Sequence, residues 1–184
     1  MLSDDELYAE FLAGKSESFD ELMNRYGDKL TRYLKGYLAS FEDAEDIMIE
    51  AFSKIMYKQP EIEKGNFKVY LFRTGHNLVA NFYRRFSKLD IVNIEDREDA
   101  VDESAAPEEK YENEEKIRIL HLCFERLDPV TREAFYLVYF EEMTYEQAAA
   151  VMKVNIKKVN NLLTRGKEKL RLELAKEGIE SYYW

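Results

Sequence analysis

Apolar residues return at helical spacing along most of this chain, and their phase divides it into segments. Phe19, Leu22, Met23, Tyr26, Leu30, Tyr33, Leu34, Tyr37 and Leu38 keep a three-and-four step, which predicts a helix from Ser18 to about Leu38. Ahead of it, Ser3 followed by Asp4, Asp5 and Glu6 predicts a short helix to Ala13, capped at its start and ended by Gly14. Ser40-Phe41-Glu42-Asp43 is a capping-box variant that opens a third helix to about Tyr57. Its inward face is Ala44, Ile47, Met48, Ala51, Phe52, Ile55 and Met56. Its outward face is Glu42, Asp43, Glu45, Asp46, Ile49, Glu50 and Lys54. Pro60 to Gly65 is a loop, and Asn66 to Lys88 is the next helix.

That fourth helix separates cleanly on a wheel. Leu71, Gly75, Leu78, Phe82 and Phe86 share one arc, widened by Phe72, Val79 and Tyr83. Tyr70, Arg73, Asn77, Asn81, Arg84 and Lys88 share the other, and the whole stretch holds no Asp or Glu. One face suits a core, and the opposite face suits an anion. The second half repeats the helical pattern. Glu108 to Leu127 is predicted as one helix with Ile117, Leu120, Phe124 and Leu127 inward. Asp128-Pro129 starts another, to about Glu142, on Ala134, Phe135, Leu137, Val138 and Phe140. Thr144-Tyr145-Glu146-Gln147 is a capping box for a short helix to Met152. Asn155 caps a last helix to about Lys176.

Composition refines this all-α reading. Seven Gly and three Pro in 184 residues argue against a turn-rich β protein. The single cysteine, Cys123, excludes an intrachain disulfide and reads as a buried small hydrophobe. His76 and His121 fit no metal-site pattern, and no phosphate loop or nucleophile motif occurs. The chain is therefore expected to be no enzyme and to need no cofactor or metal. Its N-terminus resembles no signal peptide and no segment suits a membrane span, so a cytoplasmic protein without membrane insertion is expected.

A net charge of -10 weighs against nucleic acid until its distribution is considered. Residues 95–115 carry a net -9, whereas 73–88 carry +4 and 153–171 carry +6. The acidic tract is too polar to recover its ordering entropy by burial. It reads as a flexible linker over residues 91–111, where Ile91, Val92 and Ile94 could dock locally, between two small helical domains at 1–90 and 112–184. The helix from Thr144, a three-residue turn and the helix from Asn155 have helix-turn-helix spacing. On the second of these, Ile156, Val159, Leu163, Gly166 and Leu170 line one arc, and Lys157, Lys158, Asn161, Thr164 and Arg165 the other, with Glu168 among them. Such side chains suit phosphates and base edges, although a solvated amphipathic helix has the same pattern.

These segments together resemble a known family. LDPVTREAFYLVYFEEMTYEQAAAVMKVNIKKVNNLLTRGKEKLR is similar to the DNA-binding region of bacterial RNA polymerase sigma factors of the extracytoplasmic-function (ECF) group. FDELMNRYGDKLTRYLKGYL, EDAEDIMIEAFSKIM and FKVYLFRTGHNL with NFYRR resemble that family's first conserved segment, core-binding helix and minus-10 helix, in the same order. The resemblance implies a promoter-specificity subunit that binds core RNA polymerase and promoter DNA, free as a monomer, often held by an anti-sigma factor. Asp43, Asp46, Ile49, Glu50 and Ser53 would meet core polymerase. Asn66, Phe67, Lys68, Tyr70, Arg73, Asn77, Asn81, Arg84, Arg85 and Lys88 would meet minus-10 DNA, with the Lys64–Lys68 loop at the pocket for a flipped base. Asn155, Lys157, Lys158, Asn161, Thr164, Arg165 and Lys167 would meet minus-35 DNA. Leu162 and Gly166 depart from the family's usual Arg and helix-forming residue. The linker would compete with phosphate for the basic helices. A polymerase-independent helix-turn-helix regulator and a sigma-like decoy acting only through proteins are the alternatives.

Overall fold

The structure is a computed structural model and describes residues 1–86 and 111–179, with side chains for 1–85 and 118–179. Residues 91–110 of the acidic tract, Lys88 and the terminal SYYW lie outside the described residues, as do the expectations attached to them. Among the described residues there are eight α-helices, one π-helical turn and no strand. They are α1 (Asp4–Leu12), α2 (Ser16–Lys35), α3 (Phe41–Lys58), α4 (Phe67–Phe86), α5 (Tyr111–Glu125), α6 (Pro129–Phe135), α7 (Tyr145–Met152) and α8 (Ile156–Lys176).

Local chemistry sets most helix starts. Ser3 and Glu6 form a reciprocal capping box on α1, and Thr144 and Gln147 do so on α7. Ser40, Asp128 and Asn155 cap α3, α6 and α8 through their side-chain oxygens. Helix α2 differs from expectation. It begins at Ser16 without a side-chain cap and ends at Lys35, because the Ser18 hydroxyl donates to Glu10 on α1 at 2.7 Å and Gly36 closes the last turn. Helix α6 also differs: it passes into a π-helical turn over Tyr136–Phe140, where the Glu141 N–H donates to the Tyr136 carbonyl at 3.0 Å. The wider turn rotates its later residues, so Phe140, expected inward, is 66% exposed. Met56 and Ile156, also expected inward, are exposed.

Helices α1 to α4 share one apolar core. Phe11, Phe19, Phe52, Phe67 and Phe72 are buried in it with Leu22, Leu30 and Leu34. Gly75 lets α4 approach α2: a Cβ there would stand 3.1 Å from Leu30 Cδ1 and 3.3 Å from Leu34 Cδ2. In the second half Gly166 has the same task in a tighter place. A Cβ there would stand 2.4 Å from Phe135 Cε2 and 2.7 Å from Thr131 Cγ2. That contact explains why a helix former is missing from α8 at this position.

The two halves touch. Helix α7 packs against α4, with Ala148, Ala149, Val151 and Met152 buried. The π-helical turn reaches α2, where Tyr136 donates to the Lys29 carbonyl at 3.0 Å and its ring centroid lies 5.9 Å from that of Tyr33.

Candidate nucleic-acid interface

The first basic face lies on α4 and the loop before it. That loop is stapled to α1: the Gly65 N–H donates to the Asp5 carboxylate at 2.8 and 3.0 Å, and the Tyr8 hydroxyl donates to the Pro60 carbonyl at 2.7 Å. Between loop and α1 lies a hollow of about 220 Å³ with Tyr8, Leu12, Ile62 and Phe67 among its lining. Asn66 is half-exposed and its amide donates to Glu63 at 3.3 Å. Phe67 corrects the sequence reading. Its ring is 2% exposed, with centroids 5.4 Å from Tyr8 and 6.2 Å from Tyr26, so it is a core residue rather than a platform for a base.

Lys68 is engaged within the chain. Its ammonium stands 2.8 Å from Glu141 Oε2 and also donates to the Glu141 carbonyl, so this cation already has an anionic partner from the other half. Tyr70, Arg73 and Asn77 are half-exposed on α4, and the Arg73 guanidinium lies 5.5 Å over the Tyr70 ring. At the far end, Arg84 donates to Asn81 Oδ1 at 2.5 Å and to the Ala80 carbonyl at 3.2 Å, and Arg85 is exposed.

Two surfaces that the sequence separates meet at this end. A groove of about 160 Å³ is lined by Asp43, Asp46, Ile47 and Glu50 of α3 and by Leu78, Asn81, Phe82 and Arg85 of α4. Beyond it, Ile49 and Ser53 are exposed, Ile49 at 51%. Glu50 pairs with Lys54 at 2.9 Å along the helix, a contact of small energetic weight at the surface.

The second basic face, on α8, is open. Lys153 closes α7 in the left-handed conformation (φ 55°), and Asn155 then starts α8. The Asn155 side-chain Oδ1 accepts from the Lys158 N–H at 2.8 Å, so this side chain is engaged as a cap. Lys157, Lys158, Asn161 and Arg165 are exposed, and among the described residues none of the three cations is ion-paired. Thr164 is exposed with its hydroxyl bonded to the Asn160 carbonyl at 2.9 Å. Lys167 is half-buried, 5.1 Å over the Tyr139 ring. Leu162 is half-buried against the core, as its place at the edge of the apolar arc predicts.

Two functional-looking residues escaped the sequence reading. Glu133 and Glu141 are carboxylates only 8% and 4% exposed. Glu133 Oε1 accepts from the Tyr33 hydroxyl at 2.7 Å and lies 3.2 Å from His76 Nδ1. Burial first, and then the Glu133 charge, pushes the Tyr33 hydroxyl well above its ordinary pKa, which keeps it a neutral donor. The one local sign was that Glu133 stands four residues before Leu137, on the apolar arc of the predicted helix. No group of His, Cys, Asp and Glu among the described residues is arranged to hold a metal, and no described helix is long and apolar enough to cross a membrane. Cys123 is buried, and burial raises its thiol pKa.

The same two segments match known families. The family described as Sigma-70 region 2 matches residues 22–88, and the one described as Sigma-70, region 4 matches 117–170. The chain is 28% identical over 165 residues to the ECF RNA polymerase sigma factor SigE of Mycolicibacterium smegmatis, covering 89% of this chain and 64% of that protein. It is 28% identical over 177 residues to the ECF RNA polymerase sigma-E factor of Escherichia coli K12, covering 91% and 92%. In fold it is similar to the sigma factor RpoE from Bartonella quintana, solved in complex with the anti-sigma factor NepR, with a TM-score of 0.66, 21% identity, and 86% and 98% of the two chains covered. With both region matches in order, and relatives of one group spanning nearly its whole length, the chain belongs to the sigma-70 family of bacterial RNA polymerase sigma factors, in the extracytoplasmic-function group.

Proposed function

We propose that this chain is a promoter-specificity subunit that joins core RNA polymerase and directs it to a signal-dependent set of promoters. The observation that carries this reading is the pair of basic helix faces, one in each matched region. Helix α8 offers Lys157, Lys158, Asn161, Thr164 and Arg165 to a minus-35 major groove, with Lys167 toward the flanking phosphates. Helix α4 offers Asn77, Asn81, Tyr70 and Arg73 to the minus-10 element, and Arg84 and Arg85 to its backbone. The loop that carries Asn66 borders, through Lys64, the hollow beside α1, which has room for an unstacked base. Asp43, Asp46, Ile49, Glu50 and Ser53 on α3 face core polymerase. An exposed aliphatic side chain among carboxylates suits a partner that supplies both cations and apolar surface. By likeness to the RpoE–NepR complex, an anti-sigma partner is the natural inhibitor.

Run-off transcription with purified core polymerase tests this. Promoter-specific transcripts that need both halves of the chain support it, and failure to copurify with core polymerase would end it. Within the reading, Arg84→Ala or Lys167→Ala weakens binding on every sequence and lowers the salt slope by about one. Asn77→Ala changes base preference instead.

A further inference from the structure

The exposed face of α8 carries two parallel rows whose members stand four residues apart, and so neighbour one another along the helix. Lys157, Asn161 and Arg165 form a cationic row. Beside it, Ile156, Asn160 and Thr164 form a row without charge. The core of the second half closes on Val159, Leu163, Gly166 and Leu170 and leaves Ile156 outside it, 46% exposed in the first turn. Asn160 is exposed, and among the described residues its side-chain amide has no hydrogen-bond partner. Thr164 is exposed too, but its hydroxyl proton is committed to the Asn160 carbonyl at 2.9 Å, so its methyl is the group left for a partner. A lone exposed isoleucine is ordinary. An aliphatic group, an open amide and a methyl in one row, bordered by cations that are not ion-paired among the described residues, suit one kind of base edge.

We infer that Ile156, Asn160 and Thr164 read A·T pairs in the major groove of minus-35 DNA. Asn160 hydrogen-bonds an adenine, and Ile156 and Thr164 pack on thymine methyl groups to either side of it. This readout rests on the proposed placement of α8 in that groove, where the unpaired Lys157, Lys158 and Arg165 supply the charge complementarity to phosphate. Adenine presents N7 as an acceptor and its N6 amine as a donor, and a single amide matches both with its NH2 and its carbonyl. Guanine presents two acceptors, so the same amide would set its carbonyl against O6. Thymine alone carries a C5 methyl, which an aliphatic group covers without leaving a polar atom unpaired. Ile156 and Thr164 stand about 12 Å apart along the helix, so the row spans no more than about four successive pairs.

Holoenzyme assembled from this chain and core polymerase can select promoters from a random duplex pool, and the minus-35 element so obtained should hold A·T pairs. Each of its thymines is then replaced singly by uracil, which deletes only the methyl group and keeps the pairing. At the thymines under the row the parent should lose affinity about fourfold, the worth of one buried methyl. That loss should vanish at one thymine in Ile156→Ala and at another in Thr164→Ser, which keeps the hydroxyl. Replacing the adenine by 7-deazaadenine should cost the parent about tenfold and Asn160→Ala nothing. Each ratio is taken within one variant, so a variant that folds less well moves both of its affinities alike. Lys167→Ala should weaken binding and leave every ratio as it is in the parent.

A selected minus-35 element made of G·C pairs, or uracil tolerated by the parent at every thymine, overturns the A·T readout and leaves the proposed function standing. Uracil sensitivity that persists in both Ile156→Ala and Thr164→Ser overturns the assignment to this row. A pool from which holoenzyme enriches no minus-35 element overturns the proposed function, and the A·T readout falls with it.

Discussion

Along α4 the basic face begins against the other half of the molecule: Lys68 is paired with a buried carboxylate and His76 sits beside another. Along α8 the corresponding face begins in solvent, with Lys157, Lys158 and Arg165 exposed. On a helical wheel the two helices look alike, each with an apolar arc opposite amides and cations. The fold separates them by what it places opposite each N-terminus. A cation serves as an anchor only where no internal anion has claimed it, and that is a property of the neighbouring elements rather than of the helix.

Four substitutions press on this contrast. The largest effect is expected for Lys68→Ala, which strands Glu141 as an unpaired buried charge and should cost about 3–5 kcal/mol of the contact between the halves. Hydrogen exchange along α4 should accelerate toward that of an undocked helix. Unchanged exchange would mean that Glu141 is not held by Lys68. Next comes Gly166→Ala. Helix propensity alone predicts a gain of up to about 1 kcal/mol, but the close contact with Phe135 and Thr131 predicts a net loss of about 1–3 kcal/mol from overpacking. A raised melting temperature would contradict the close α6–α8 approach.

Asp128→Ala removes the α6 cap and should cost about 1 kcal/mol. Its carboxyl is held below the usual aspartate range, chiefly by the Thr131 hydroxyl, against an opposing effect of burial. Because the folded pKa is the lower one, the stabilisation is present above the unfolded pKa and disappears as pH falls through the folded value. The difference in stability between parent and variant should therefore shrink in acid and stay constant near neutrality. Smallest is Gly75→Ala, where the neighbours are the flexible ends of Leu30 and Leu34 and can shift by a few tenths of an ångström. Propensity and crowding nearly cancel there, and urea melts should agree within about 1 kcal/mol. If Gly75→Ala proves worse than Gly166→Ala, the ranking of the two close approaches is reversed.

Periodicity and capping chemistry gave most helices their place. Ser3, Ser40, Asp128, Thr144 and Asn155 all start helices in the structure as their side chains predict, because a cap depends on residues three positions apart. The same locality explains the misses. Ser18 is not a start because its hydroxyl serves Glu10, and Phe140 is not core because the π turn rotates it outward. At the candidate site the helical pattern foretold that Lys157, Lys158, Asn161, Thr164 and Arg165 share an exposed face of α8. It carried no sign that, at the start of α4, Phe67 is buried in the core and Lys68 is paired with Glu141.

What the sequence determined by itself is therefore what short-range chemistry and order along the chain can carry: an all-helical protein, two basic faces, and the motifs of the sigma-70 family. What only the tertiary structure decided is which charges face one another. Tyr33 and Glu133 are 100 residues apart, and Lys68 and Glu141 are 73 apart. No helical period links such pairs. The carboxylates at these positions face a hydroxyl, an imidazole and an ammonium from the other half, and those pairings exist only once the halves meet.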